Sequence, residues 1–295
     1  MTRGERAFEV FNIAAMSLFA LICVYPFIYI IALSFNDGMD AMRGGIYLFP
    51  RKFSLDNYTK LFEDRRLIGS LVISVYRTIA GAFLGALVNA LFAYALTKRD
   101  LPFRKAFNWM VIIPMYFGGG LIPYYLICKE LGLINNVLVF VIPWLAAPFH
   151  ILLLRISIRD LPDSLEESAR LDGAGYGTVF FRIVLPLIMP ALATVILLGG
   201  IGHWNDWLDG TIMVSNSRLW PMQTLLLNII QGSDMMSFFR ERNMAPTGSM
   251  ARRISITPES LKMAMLVITI VPIFMIYPFA QKYFIKGMLV GSIKG

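Results

Sequence analysis

The feature that most limits the fold of this chain is a set of six apolar stretches, each long enough to cross a lipid bilayer. A helix rises about 1.5 Å per residue, so a hydrocarbon core of roughly 30 Å takes about 20 residues. The only charged residue inside these stretches is Arg77, near the start of the second. They predict an all-α integral membrane protein with six transmembrane helices, at about residues 10–36, 74–97, 106–128, 131–154, 183–205 and 263–281.

The residues between these stretches are too few to form a second domain. Hydrophobic residues make up 57% of the chain and charged residues 16%, whereas soluble domains have about 25% charged residues. The longest loop has roughly 55 residues, fewer than an ordinary catalytic or nucleotide-binding domain. We therefore expect a single transmembrane domain of residues 1–295 that is not an enzyme and that takes its energy from another protein.

The basic residues indicate how the chain is oriented in the membrane. The net charge of +8 is spread over loops beside apolar stretches, which is typical of membrane flanks rather than of a nucleic-acid partner. Basic residues close to span ends, such as Lys98 and Arg99, favour a cytoplasmic position for the segments that hold them. We therefore expect cytoplasmic N- and C-termini, a cytoplasmic loop at residues 155–182 and an outer loop at residues 206–262.

The loop at residues 155–182 carries several signals for helix starts and ends. Asp163 precedes Glu166 by three residues, which is the spacing of a capping box and predicts a short helix beginning at Ser164. Gly173 then ends this helix, and a second short helix leads toward the fifth span. The pattern predicts two short helices, joined by a glycine turn, that lie across the inner membrane face.

This loop resembles a motif of known transporters. The run ESARLDGA at residues 167–174, followed by IVLP at residues 183–186, is similar to the EAA loop of ABC importer permeases, with Ser168 in place of the commoner Ala. Beyond the loop, the chain resembles carbohydrate permeases of the maltose-transporter type, most closely the subset that imports complex oligosaccharides such as aldouronates or alginate fragments. The motifs that carry this resemblance are NY at 57–58, AYAL at 93–96, WNDW at 204–207, PMQTL at 221–225 and QKYFIKGM at 281–288.

The resemblance implies a type I ABC importer permease fold in the bacterial cytoplasmic (inner) membrane. It implies pairing with a second homologous permease, two cytoplasmic ATPase subunits and an extracytoplasmic solute-binding protein that delivers the oligosaccharide. It implies no cofactor on this chain, with ATP and Mg held by the partner ATPase. Without it, an ordinary amphipathic connector with solvated carboxylates would explain the loop. With it, the residues expected to couple the chain to the ATPase are Leu165, Glu167, Ala169, Asp172 and Gly173.

A cluster of aromatic and polar residues follows the fifth span, at His203, Trp204, Asn205 and Asp206. Sugars pack their C–H faces on aromatic rings and need amide or carboxylate partners for their hydroxyls, so this composition suits a carbohydrate pathway. An interfacial belt of tryptophans explains the same residues, because an amphipathic ring also favours that depth. The sequence leaves both interpretations open.

Arg77 has two interpretations that depend on where its helix begins. If the helix begins near Leu67, the residue is about 15 Å deep and faces a pathway or a partner subunit. If the helix begins near Ser74, the guanidinium reaches the interface and anchors the helix. We expect the anchor.

The outer loop contains a basic segment without helical or strand periodicity, residues 233–253. Loops longer than about 12 to 15 residues are usually functional or disordered. Related permeases use a loop in this place to reach the binding protein, so Arg240 and Arg242 are expected contacts. A solvated basic loop is the alternative.

Other classes of function find less support. His150 and His203 have no Cys, Asp or Glu at zinc-ligand spacing, so no metal site is expected. A secondary transporter usually needs intramembrane carboxylates or inverted repeats. None of the six predicted spans contains Asp or Glu. A membrane anchor would need no coupling loop. An ABC permease for another small solute stays open as the alternative.

Overall fold

A computed structural model describes residues 3–231 and 256–292 of the chain. Within these ranges the regular structure is helical, with one isolated bridge between Asn36 and Phe53. The described residues form two compact units, one drawn from residues 3–65, 226–231 and 256–272 and one from residues 66–225 and 273–292.

The helices differ widely in length, from a single turn to 35 residues. In chain order they are α1 (Arg3–Ser34), α2 (Gly38–Ala41), α3 (Asp56–Phe62), α4 (Arg65–Thr97), α5 (Arg104–Tyr116), α6 (Leu121–Glu130), α7 (Pro148–Arg159), α8 (Asp163–Leu171), α9 (Tyr176–Val179), α10 (Leu185–Leu187), α11 (Met189–Asn205), α12 (Leu208–Met213), α13 (Met222–Ile230) and α14 (Pro258–Ser292). Short 3₁₀ turns lie at Val137–Phe140, Ile142–Trp144 and Ser217–Leu219, and a π-helical turn lies at Phe180–Val184.

In the described residues, three helices are long and apolar enough to cross a membrane: α1, α4 and the segment Pro258–Pro278 of α14. Two bent pairs also qualify when each pair is taken as one span. One pair joins Val137–Trp144 to α7 at 47°, and the other joins Tyr176–Leu187 to α11 at 81°. A proline lies at each bend: α7 begins with Pro148, and α11 has a proline in its first turn. Proline lacks the backbone N–H that would continue the preceding helix.

The third predicted span, residues 106–128, is divided between two helices. α5 has 13 residues and α6 has 10, and residues 117–120 separate them. Gly120 has a φ of 83°, in the region that favours glycine, and Phe117 is extended. The glycine run therefore breaks the stretch, and neither helix alone reaches the roughly 20 residues that a crossing needs.

A buried asparagine fixes the end of α1 in the first unit. Asn57 is 1% exposed, and its Nδ2 donates to the carbonyls of Ser34 and Asn36 at 3.0 and 3.1 Å. Its Oδ1 accepts a 2.8 Å hydrogen bond from Ser260 Oγ. The Tyr58 hydroxyl lies 2.7 Å from Ser34 Oγ. Asn57 thus satisfies carbonyls at and just beyond the helix end, where intrahelical partners are missing, and Tyr58 contacts the side chain of the last helical residue.

An ion pair stabilises the loop after α1. Asp40 is buried and accepts a 2.9 Å hydrogen bond from Arg51 Nε, while Arg51 Nη2 donates to the carbonyl of Gly44 at 2.9 Å. The Arg51 guanidinium holds the pKa of Asp40 below its usual value.

Small residues bring helices together in the second unit. Ala86, Ala90 and Ala93 of α4 are at most 2% exposed and pack in a core that includes Leu154 of α7 and Val195 of α11. Small side chains let helix backbones approach closely, which favours helix association in membranes. This packing sets α4 against both bent pairs and so positions the residues described next.

Candidate functional site

The two short helices predicted after the fourth span are present as α8 and α9. α8 ends in a Schellman motif: Gly173 N–H donates to the carbonyl of Arg170 at 3.0 Å, and Ala174 N–H donates to that of Ala169 at 2.9 Å. Gly173 has a φ of 85°. A side chain with a Cβ is strained in that conformation, so the glycine allows the turn.

The start of α8 corrects the expected capping box. The helix begins at Asp163, Pro162 occupies the N-cap position, and no side chain caps it. Glu166 instead accepts hydrogen bonds from Lys98 Nζ and, at 3.3 Å, from the Tyr94 hydroxyl. The prediction that Glu166 would reach back to the helix start was wrong, because a charge-assisted bond to an ammonium is stronger than one to a neutral backbone N–H.

The predicted coupling residues lie on α8 and its turn, in two different environments. Leu165 is 42% exposed, and Glu167, Asp172 and Gly173 are exposed as well. Ala169 is partly buried and packs against the core of the second unit. The exposed residues are available to a partner, whereas Ala169 holds the helix against its own chain.

A second bridge joins the loop after α4 to α9. The Tyr176 hydroxyl donates to Asp100 Oδ2 at 2.5 Å and accepts from Arg170 Nη2 at 2.9 Å. The hydrogen bond from Tyr176 lowers the pKa of the Asp100 carboxyl. Together with the Lys98–Glu166 pair, the Tyr176–Asp100 hydrogen bond holds α8 and α9 against the C-terminal end of α4.

A buried ionic cluster lies near the middle of α4. The Arg77 side chain is 1% exposed. Its Nη1 donates to the Asp206 carbonyl at 2.9 Å, and its Nη2 donates to Asp206 Oδ2 at 2.6 Å. Asp209 Oδ2 lies 3.7 Å from the same Nη2. The guanidinium therefore faces two carboxylates that follow α11.

Aromatic residues complete the cluster. Asp209, 1% exposed, accepts hydrogen bonds from Trp144 Nε1 at 2.6 Å and from the Tyr124 hydroxyl at 3.0 Å. The Phe140 ring centroid lies 4.8 Å from the Arg77 guanidinium carbon, a cation–π distance. The cluster thus links α4, α6, the 3₁₀ turns before α7 and α12.

These contacts show that the expected membrane anchor was the wrong interpretation of Arg77. The helix begins at Arg65, which places Arg77 about 18 Å along it at roughly 1.5 Å per residue. There the guanidinium is satisfied by carboxylates of its own chain rather than by the interface. The burial of the side chain and its pairing with Asp206, which the sequence left open, decide between the two interpretations.

A cavity of about 350 Å³ lies beside the cluster. Its polar and aromatic lining residues are Arg77, Asn89, Trp144, His150, His203 and Asp206, and glycines and aliphatic residues of α4 and α11, with Ala147, line the rest. Asn89 Oδ1 accepts from the Ala147 N–H at 2.9 Å, but in the described part of the chain Asn89 Nδ2 and Arg77 Nε are buried without partners. Both residues line the cavity, so its wall contains two donors that the described chain leaves without acceptors.

Glycine makes room for a histidine in this wall. The His203 ring, 8% exposed, packs against Gly81 of α4 so closely that a Cβ at position 81 would overlap it. Gly202, also at the cavity, has open space where its Cβ would be. The contact explains why α4 needs a glycine at this particular turn.

The structure separates the four predicted pathway residues. His203 and Asp206 line the cavity, and Trp204 is 7% exposed. Asn205 is exposed and lies 3.5 Å from Gln223 Nε2. Arg240 and Arg242, expected to contact a binding protein, lie outside the described residues.

Sequence reasoning missed Gly81, Asn89, Trp144 and Asp209. The one sequence signal was Arg77 in an apolar stretch, which called for a carboxylate such as Asp209 elsewhere in the chain. Gly81, Asn89 and Trp144 had no such signal. Within the described ranges, no group of three or more His, Cys, Asp or Glu side chains could hold a metal ion.

Comparisons with known proteins cover nearly the whole chain. The family described as "Binding-protein-dependent transport system inner membrane component" matches residues 2–290. The polygalacturonan/rhamnogalacturonan transport system permease protein YtcP of Bacillus subtilis (strain 168) is 37% identical over 292 residues, 99% of each chain. The arabinooligosaccharides transport system permease protein AraQ of Halalkalibacterium halodurans is 30% identical over 94% of this chain and 93% of its own.

Solved structures agree with these matches. A chain from a bacterial ABC transporter involved in the import of the acidic polysaccharide alginate has a TM-score of 0.85 at 28% identity, and the match covers 96% of this chain and 99% of that one. A chain of a bacterial alginate ABC transporter in complex with an alginate pentasaccharide-bound periplasmic protein has a TM-score of 0.57 at 16% identity, which supports the fold alone.

Proposed function

Because the chain belongs to the family of inner membrane components of binding-protein-dependent transport systems, we propose that it helps to form the membrane pathway for an acidic complex oligosaccharide. It is a permease of an ABC importer with the type I fold, and it is not an enzyme. The proposed substrate class follows from two matches that cover nearly the whole chain, one named for polygalacturonan and one for alginate. Both polymers are built from sugar acids.

The observation that carries the mechanism is that one helix, α4, contacts both candidate sites. Near its C-terminal end, Tyr94 and the following Lys98 hold the coupling helix α8 through Glu166. Along its middle, Arg77 and Asn89 line the cavity. A displacement of α8 by an ATPase would therefore pull on a helix that forms the cavity wall, without any flexible connection between them.

We propose six crossings with both termini in the cytoplasm, and a single permease domain of residues 1–295. Five crossings follow α1, α4, the two bent pairs and α14, and the divided helices α5 and α6 would make the remaining one together. The exposed apolar side chains of α1 support this placement, since a helix apolar on most sides is suited to lipid or to another subunit. In this arrangement the protein lies in the bacterial inner membrane, and the segment 155–182 faces the cytoplasm.

The exposed part of α8 is the proposed contact with the ATPase. Glu167 offers a carboxylate to a basic residue, Leu165 offers an apolar contact, and the turn at Asp172 and Gly173 sets the direction of the chain. ATP and Mg would be bound by two partner ATPase subunits, and this chain would bind no cofactor. An exposed ion pair contributes about 0–1 kcal/mol, so Glu167 would orient the contact while closure of the ATPase supplies the free energy.

Substrate would pass the face that carries the cavity and the exposed end of α11. His203, Trp204, Asn205 and Asp206 are the proposed pathway residues there, and the cavity-lining His203 and Asp206 and the exposed Asn205 offer hydrogen-bonding groups. A second homologous permease would complete the pathway. An extracytoplasmic binding protein would deliver the oligosaccharide, with Arg240 and Arg242 as its proposed contacts.

The test is ATP hydrolysis and uptake by the reconstituted complex with its binding protein, using polyuronate oligomers and neutral arabino-oligosaccharides as separate substrates. We expect polyuronate oligomers to stimulate hydrolysis and to be transported. Stimulation by neutral oligomers alone would contradict the acidic substrate class and favour the class named for AraQ.

Two substitutions separate the sites. Glu167→Lys should abolish stimulation, while Glu130→Lys, the same reversal at an exposed position on the proposed outer side, should not. Trp204→Ala should reduce uptake with near-normal basal hydrolysis, and Trp207→Ala, at a tryptophan 47% exposed, serves as its control. Equal effects of each variant and its control would contradict the assignment.

A further inference from the structure

A second cavity, of about 420 Å³, lies where three helices of the second unit have their ends. The C-terminal ends of α4 and α7 and the first residue of α5 contribute to it, together with the start of α8. Part of its wall is apolar, with Ile158 and Val184 at most 7% exposed. All three helices belong to predicted spans. We therefore expect their ends, and the cavity between them, to lie where the hydrocarbon core meets the lipid headgroups.

The charged lining of this cavity is predominantly basic. Its basic residues are Lys98, Arg99, Arg104 and Arg159, and its acidic residues are Asp163 and Glu166. Lys98 pairs with Glu166. Within the described ranges the three arginines form no ion pair, and only Asp163 remains to offset them. The cavity therefore keeps a positive charge that its own chain does not neutralise.

A further arginine, Arg155, belongs to the same helix as Arg159. It lies one helical turn before Arg159, on the same face of α7. Its Nη1 donates to Asn108 Oδ1 at 2.6 Å, an uncharged partner, and its Nε is buried without a hydrogen bond in the described part of the chain. Gathering guanidinium groups in this way is unfavourable unless an anion lies among them.

The place and the shape of the cavity identify the anion. Basic pockets between transmembrane helices on the cytoplasmic side suit anionic lipid headgroups. Guanidinium groups match phosphate oxygens in geometry, and the apolar wall suits the glycerol and the first methylene groups of a lipid. A free phosphate has no apolar group that could contact that wall.

We propose that the cavity between the ends of α4, α5 and α7 binds the headgroup of an anionic phospholipid, with Arg99, Arg104 and Arg159 as its phosphate-binding residues. The proposal rests on the proposed membrane placement of these helices but not on the substrate. The lipid would lie against α8 beside Lys98 and Glu166, where its phosphate would support the position of the coupling helix.

The test uses the assembled transporter in nanodiscs of phosphatidylcholine with or without phosphatidylglycerol. After mild delipidation, native mass spectrometry counts the retained phosphatidylglycerol. We expect preferential retention by the wild-type complex, and a loss of about 20- to 30-fold in affinity for Arg104→Gln combined with Arg159→Gln, at roughly five-fold for each arginine. Lys105→Gln is the matched control, because Lys105 is an exposed neighbour outside the cavity.

Several outcomes would overturn the proposal. Equal retention by the double variant and by Lys105→Gln would show that the arginines do not select the lipid. If millimolar inorganic phosphate displaces the bound lipid as effectively as added phosphatidylglycerol does, the cavity binds a free anion instead. Unchanged lipid retention in the double variant, with loss of the ATPase subunits, would assign the cavity to a protein contact.

If the double variant fails to assemble, lipid retention by the wild-type complex is measured across a salt series. A headgroup bound by arginines should be released as the salt concentration rises, and retention that does not depend on salt would contradict the proposal.

Discussion

The ionic cluster at Arg77 supports the sharpest prediction about stability. Arg77→Met keeps an unbranched aliphatic side chain but removes the guanidinium that faces Phe140 and so leaves Asp206 and Asp209 without a cation. Removing one partner of a buried ion pair costs about 3–5 kcal/mol, because an uncompensated charge stays buried. Asp209→Asn should cost much less, about 1–2 kcal/mol, since Arg77 retains Asp206 and the amide can still accept one of the two hydrogen bonds from Trp144 and Tyr124.

Thermal unfolding of the purified complex, followed by loss of the monodisperse peak in size-exclusion chromatography, measures this difference. At about 2–3 °C per kcal/mol, Arg77→Met should lower the apparent Tm by roughly 6–15 °C and Asp209→Asn by a few degrees. The triple variant Arg77→Met with Asp206→Asn and Asp209→Asn should recover part of the loss, because it removes every charge from the cluster.

The order of these Tm values decides whether the reasoning holds. If Arg77→Met unfolds at the same temperature as Asp209→Asn, the guanidinium does not compensate the carboxylates. If the triple variant is no more stable than Arg77→Met, the loss comes from packing rather than from charge. Either result would refute the electrostatic account of the cluster.

Three further predictions concern the coupling helix, the cavity wall and the loop after α1. Glu166→Lys should reduce ATP-driven uptake several-fold, and adding Lys98→Glu should restore part of it, because the exchanged pair can again join α8 to α4. Gly81→Ala should destabilise the complex by about 1–3 kcal/mol in thermal unfolding, since the new methyl group overlaps the His203 ring. Asp40 has a lowered pKa, so its stabilising contribution is present above about pH 4 and is lost as the pH falls through the lower folded-state value; Asp40→Asn should weaken the acid dependence of the Tm in that range.

Each of these predictions has its own control. Glu167→Lys, next to Glu166 but exposed, should not be rescued by Lys98→Glu, and equal rescue would contradict the pairing. Gly202→Ala should leave the Tm near that of the wild type, because open space surrounds its added Cβ. An unchanged acid dependence in Asp40→Asn would remove Asp40 from the groups that govern stability at low pH.

The positions of the long apolar helices and of the coupling segment could be predicted from sequence because both depend on local patterns. α1, α4 and α14 contain uncharged stretches, and a chain in a bilayer must satisfy its backbone within such a stretch. The turn at Gly173 was equally local, since αL geometry favours glycine whatever surrounds it. Three glycines lie at residues 118–120, yet the expected span 106–128 was continuous and did not include the break there.

The sequence by itself determined that this is a helical membrane protein of a transporter family, because apolar length and motif spacing are properties of neighbouring residues. Only the tertiary structure decided which carboxylate meets which cation. Glu166 was expected to cap its own helix and instead binds Lys98, 68 residues away. Arg77 was expected at an interface and is paired with Asp206, 129 residues away. Such pairs depend on the approach of helices packed through small side chains, and no local pattern records that approach.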